Sequence, residues 1–329
     1  MRTFVSFLVL ITSAALLSAQ PGQQRGLREV NQVAKPSESS LIAIVGATLI
    51  DGRGGPPIAD SVVVVKGEQI IAVGDRAALV IPPGAEIVDA KGLTLLPGLI
   101  DSHFHIDGDD RLPALYLSHG VTSLRDPGQW IEAYDAARKA AAAVPRLFLC
   151  GPHLDSPPPA YPADSYIVRD ADETRLAVNR FADDGASAIK VYFRLPLALI
   201  KVAIDAAHSR GIPVIGHLEI VDARDAITAG IDGIEHATSF GTALLPLREA
   251  EKYRQAILAD NNARREGRYQ VWNAIDLSSA QSKSLFKLIA DRRVIVSPTL
   301  AVFERQAGDK DTTQVHVHAF KQMNVNRFG

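Results

Sequence analysis

From residue 98 onward the chain alternates short apolar runs with helix-periodic stretches, and that rhythm restricts it to parallel strands joined by crossover helices. The strands are expected at 99–103, 121–125, 146–150, 188–193, 213–217, 233–237 and 294–300, with helices at 130–143, 171–184, 196–210, 222–229 and 279–292. Seven strands in this order predict an α/β fold, a TIM-type (β/α)8 barrel left incomplete at seven strands: residues 98–329 come close to the about 250 residues of a full barrel, but part of that length is inserted. The stretch 240–277 is polar, helix-prone and far longer than an ordinary connection, which is how lids and substrate loops are built.

A different pattern precedes the barrel. Residues 41–97 carry short β-rich runs at 41–50, 61–66, 69–73 and 86–89, separated by Gly- and Pro-rich turns, and predict a small N-terminal β-sandwich or meander. Residues 20–40 are polar and aperiodic and are expected to be a linker. Before them, Arg2 is followed by an apolar run over 4–17 and the small residues Ser18 and Ala19, the pattern of a signal peptide over 1–19. The run is shorter than the ~20 residues that a spanning helix needs. The expectation is a secreted or periplasmic protein, with no membrane partner after cleavage. The barrel region then runs over 98–329.

Composition excludes several classes. A net charge of -2 in 329 residues offers no basic surface for nucleic acid or anionic lipid, and 6% aromatic residues offer few stacking platforms. One cysteine, Cys150, permits no internal disulfide, and its apolar strand predicts a buried, inert thiol.

Chemistry is concentrated at strand ends. In Pro97-Gly98-Leu99-Ile100-Asp101-Ser102-His103-Phe104-His105 the two histidines are two residues apart, so on a strand they point to one side and can share one ion. Lys190 lies inside the apolar run Ala188-Ile189-Lys190-Val191-Tyr192-Phe193. Burial would favour its neutral amine, which can react with carbon dioxide to give a metal-bridging carbamate. A snorkelling or carboxylate-paired lysine is the alternative. His217 and His236 each close an expected strand, at the barrel end that carries active sites. Tyr192, His153 and Glu219 are weaker candidates for substrate binding, and Asp126 for orienting a histidine. Glu235, next to His236, should alternate to the opposite side of its strand. His119, His208, His316 and His318 fall in helical or loop contexts and suggest surface or packing roles.

The Leu96–His105 run resembles the PGLID-HxH signature of the amidohydrolase superfamily, and Val45-Gly46-Ala47-Thr48-Leu49-Ile50-Asp51-Gly52 resembles the first strand of that superfamily's sandwich domain. Gly120-Val121-Thr122-Ser123-Leu124-Arg125-Asp126 is similar to the second barrel strand of its imidazolonepropionase-like and prolidase-like branch. The resemblance spans residues 41–300. It implies a divalent metal cofactor, with zinc first and manganese or cobalt also suited, in one or two ions. It implies His103, His105, Lys190, His217 and His236 as metal ligands, with a carboxylated Lys190 as the bridge. It implies hydrolysis of a C–N bond in a small-molecule or dipeptide-like substrate by metal-activated water. Self-association into a homo-oligomer is left open.

The same resemblance implies a general-base aspartate at the end of an eighth strand. After 294–300 the sequence offers only Asp309 and Asp311, in the polar stretch 306–313, and nothing like an eighth strand. The expectation is a barrel truncated before strand eight, without that aspartate. Two other readings stay open beside the binuclear hydrolase: a mononuclear imidazolonepropionase- or deaminase-like enzyme, and a non-catalytic fragment.

Overall fold

The structure is a computed structural model that describes residue 29, residues 36–139 and residues 143–300. The signal peptide, nearly all of the linker, His316, His318, Asp309 and Asp311 lie outside the described residues.

The first five strands are β1 (Leu41–Leu49), β2 (Ile58–Lys66), β3 (Gln69–Asp75), β4 (Glu86–Asp89) and β5 (Thr94–Leu95). β1 alternates strictly, burying Ala43, Val45, Ala47 and Leu49, because every second side chain of a strand faces one side. Of the expected sandwich or meander, the described residues show a single sheet, in which β1, β2 and β3 make a meander. The strands form one mixed sheet in the order β3-β2-β1-β4, with β5 also on β1. β2 and β3 join antiparallel to β1 and β2, whereas β4 and β5 run parallel to β1.

Nine further strands follow: β6 (Leu99–Asp101), β7 (Val121–Asp126), β8 (Arg146–Leu149), β9 (His153–Asp155), β10 (Ser165–Ile167), β11 (Ile189–Val191), β12 (Val214–Gly216), β13 (Gly233–Glu235) and β14 (Ile295–Ser297). Every pairing among them is parallel. Seven occupy the stretches expected from periodicity, while β9 and β10 lie outside them. They form two sheets, β6-β7-β8 and β10-β9-β11-β12-β13-β14, rather than one continuous ring. Ser187 joins them, its amide donating to Leu149 O at 2.6 Å and its hydroxyl accepting from Leu149 N at 3.0 Å. At the other ends, Ser102 Oγ of the β6 strand end stands 3.4 Å from Ser297 Oγ of β14.

The helices are α1 (Leu112–Ser118), α2 (Asp135–Lys139), α3 (Ala171–Asp183), α4 (Leu197–Ser209), α5 (Ala223–Ala229), α6 (Gly241–Leu244), α7 (Leu247–Ala259), α8 (Ala263–Gln270) and α9 (Ala280–Asp291). Their starts follow capping chemistry. Asp170 accepts from the amides of Asp172 and Glu173, Asp222 from that of Arg224, and Ser279 from that of Ser282. α5 ends at Gly230, whose φ of 102° is the left-handed cap that a glycine takes without strain. α3 buries Thr174, Ala177, Val178 and Phe181, a helical stripe that joins Ile189, Val191, Ile200 and Ile204 in the main core. The 240–277 stretch is built mainly of α6, α7 and α8. It packs Leu245, Ala250, Tyr253 and Ile257 against Tyr192 and Phe193, at the C-terminal ends of the parallel strands.

Candidate metal centre

Four imidazoles meet where β6, β12 and β13 end. The His103 ring centroid lies 5.1 Å from that of His105 and 4.5 Å from that of His236, and His236 lies 4.4 Å from His217. Backbone bonds carry the strand ladders into these positions: His217 N donates to Val191 O at 3.1 Å, and His236 N to Ser297 O at 2.8 Å. Lys190, in the middle of β11, is 1% exposed, and its Nζ has no hydrogen-bond partner.

Each histidine has one ring nitrogen engaged with an oxygen. His103 Nδ1 is 2.6 Å from Glu235 Oε2, His105 Nδ1 is 3.3 Å from Asp126 Oδ1, His217 Nε2 is 2.8 Å from Glu219 Oε1, and His236 Nδ1 is 2.8 Å from Thr299 Oγ1. An oxygen on one nitrogen fixes the ring and leaves the other for a ligand. His217 Nδ1 is buried without a partner, as the Lys190 amine is. The rings meet at steep angles, 73°, 64° and 51°. Among the described residues no three His, Cys, Asp or Glu side chains stand ready to hold an ion.

The sequence reading missed Glu235. Strict alternation would turn it away from His236, but His236 has a φ of 64°, which breaks the alternation after β13. Both side chains therefore reach the same region. Glu235 is 1% exposed and is clamped between His103 and the Arg125 guanidinium of β7, which also donates to Ser102 O. Burial pushes its carboxyl up, but the Lys190 charge, the His103 hydrogen bond and the Arg125 charge outweigh it and hold it down at about 2. Asp126 has the orienting place suggested for it. Besides His105, it accepts from the Ile106 and Gly128 amides and the Tyr134 hydroxyl.

Burial lowers the His103 and His217 imidazoles to about 4 and those of His236 and His153 well below their ordinary value, so all four are neutral near pH 7, the form that binds metal. Burial also lowers His105, but the Asp126 hydrogen bond and charge more than offset it and raise this ring. Burial brings the Lys190 amine down to about 8.

The weaker candidates form a wall beside this cluster. His153 stacks on Tyr192 at 4.2 Å with the rings nearly parallel, 9° apart, and the Tyr192 ring sits 4.9 Å from that of His217. Glu219 is fully buried behind His217. Of the other histidines among the described residues, His119 bonds its own helix end at Leu115 O, and His208 pairs with Asp232. Cys150 is buried, its thiol pushed up to about 12 by burial.

No family profile matches the chain. An N-acyl-D-aspartate deacylase of Alcaligenes xylosoxydans xylosoxydans is 44% identical over 94 residues, 27% of this chain and 18% of the relative. An adenine deaminase 2 of Agrobacterium fabrum is 32% identical over 113 residues, 32% of this chain and 18% of the relative. An enamidase of Eubacterium barkeri is 31% identical over 97 residues, covering 27% and 25%. Among solved structures, a putative prolidase from Bifidobacterium longum superposes with a TM-score of 0.57 at 19% identity, over 79% of this chain and 74% of that one. These relatives and that fold are amidohydrolase in kind. Over these segments the chain is similar to amidohydrolases, and its fold is like that of the prolidase structure. The chain spans a quarter or less of the length of these curated relatives, and the structural likeness speaks for the superfamily's fold alone.

Proposed function

We propose that this chain builds the metal centre of a hydrolase that cleaves C–N bonds, with His103, His105, His217, His236 and a carboxylated Lys190 as the ligands of two divalent ions, zinc first. The observation that carries this reading is the Lys190 amine: buried, unpartnered and set among neutral imidazoles. A buried polar group without a partner is rare in native proteins and calls for an explanation. A carbamate and a cation would satisfy both it and His217 Nδ1. A divalent ion there would supply Lewis acidity toward a carbonyl oxygen and make water acidic enough to react near neutral pH.

The chain's own side chains do the rest. Glu235, Asp126, Glu219 and Thr299 hold the four rings and leave one nitrogen of each for the ions. Tyr192 and His153 form a stacked wall that restricts where a substrate lies, and the α7–α8 segment keeps water from that side. The names of the deacylase and prolidase relatives favour an N-acyl amino acid or a dipeptide-like substrate.

The test is hydrolysis of N-acyl amino acids and Xaa-Pro dipeptides by the whole protein, compared with Lys190→Ala. Loss of at least ~100-fold in rate is expected, on the scale of removing a principal electrostatic contributor. Full activity in the variant would remove the bridging lysine.

A single-ion centre is the second reading. It is favoured by the likeness to adenine deaminases. One metal equivalent per chain and a Lys190 peptide without added carbon dioxide would decide for it.

A further inference from the structure

We propose that Arg264, carried by α8 in the segment between β13 and β14, is a positioning residue for the metal ligand His217 and acts on it through Glu219. The inference rests on the reading of His217 as a ligand.

Three buried side chains form a relay. His217 Nε2 lies 2.8 Å from Glu219 Oε1, and the same oxygen lies 3.7 Å from Arg264 Nη1. Arg264 is 2% exposed and Glu219 is fully buried. A guanidinium brought this far out of water carries a large desolvation cost, so its surroundings have to hold it well. They do so with aromatic side chains. Its Nη2 donates to Tyr161 Oη at 2.9 Å, and its Cζ lies over the Phe193 ring, 4.8 Å from the centroid, and over the Tyr161 ring at 5.3 Å. Tyr253 Oη reaches the other carboxylate oxygen of Glu219 at 3.5 Å.

The division of bonds decides what the relay does. Arg264 gives its short hydrogen bond to Tyr161 and stands beyond hydrogen-bond distance from Glu219 Oε1, so that oxygen remains the acceptor for His217. The guanidinium supplies charge and a fixed wall, and the carboxylate supplies the bond. With the Nε2 proton drawn to Glu219, the imidazole presents its bare Nδ1, the atom that is buried without a partner. A carboxylate behind a ligand histidine is a general means of raising ligand basicity and fixing the ring. Here its counter-charge comes from a helix of the long connection that covers the site. The connection is thus tied to the metal ligand and does more than shape the entrance.

The test measures the zinc affinity of the full chain by competition with a chromophoric chelator, together with the visible absorption of the cobalt(II) form. Wild type, His217→Ala, Arg264→Met and Arg264→Lys are compared. Arg264→Met is expected to weaken zinc binding about 10- to 100-fold and to shift the cobalt bands, as losses of such outer partners do. Arg264→Lys returns the charge without the planar stack and is expected to recover part of the affinity. A folded Arg264→Met protein with wild-type affinity and an unchanged cobalt spectrum overturns the proposal. If His217→Ala weakens binding while Arg264→Met does not, the metal reading stands and the relay falls. If His217→Ala binds as tightly as wild type, both fall. Should Arg264→Met not fold, Glu219→Gln is read by the same criteria, since it keeps an acceptor near His217 and removes the charge.

Discussion

A lysine held at 1% exposure without a hydrogen-bond partner destabilises the metal-free fold, and Lys190 shows what that cost serves. Burial lowers its amine to about 8, from an ordinary value of 10.5. Between those values the unfolded chain binds more protons than the folded one. The contribution of this group to stability therefore rises with pH across that window and is smallest below it. Lys190→Met fills similar volume with no titrating group. In chelator-treated protein it is expected to abolish that rise and to stabilise the fold by about 1–3 kcal/mol at pH 7. Urea unfolding from pH 7 to 10 checks this, and a variant less stable than wild type at pH 7 contradicts it. Glu235 makes the opposite prediction. Its carboxylate is bonded to His103 and paired with buried Arg125, so Glu235→Gln leaves the guanidinium without its counter-charge. A loss of about 3 kcal/mol is expected by thermal or urea unfolding, the scale of breaking a buried pair.

At the level of elements, the site depends on strand ends that come close together, and glycines admit the approach. A Cβ on Gly128, just after β7, would stand 2.0 Å from His153 Nε2, a distance that no arrangement of the ring in its present place tolerates. Gly128→Ala is expected to displace His153 from its stack on Tyr192 and to cost about 1–3 kcal/mol, as overpacking does. A thermal midpoint within a degree of wild type would show that the ring moves freely. Much at this scale was legible in the sequence. The alternation after residue 98 located seven strands and the helices α3, α4, α5 and α9, and the two-residue spacing of His103 and His105 placed both at one strand end. Lys190 was legible as a cation in an apolar run. Glu235 was not, because period-2 reasoning fails where His236 takes a positive φ. Arg264 was not, because a polar helix in a long connection gives no sign of which arginine turns inward. β9 was hidden by the glycine and prolines around it.

For the whole molecule, the order of strands matters more than the closure of a ring. β6 and β14 are the outer strands of their sheets, and Leu99, Ile100, Ile295 and Val296 on them are exposed. Ser102 and Ser297 nevertheless bring these ends together, so that residues from β6, β11, β12 and β13 share one space. The expected sandwich and barrel were read from strand count and turn chemistry, which locate strands but say little about which of them pair. The central claim, that this shared space is a metal centre, is tested most directly by the metal content per chain after dialysis against limiting zinc. The account predicts one to two equivalents for wild type and loss of at least one in His236→Ala. No bound metal in wild type, or equal amounts in both proteins, would contradict it.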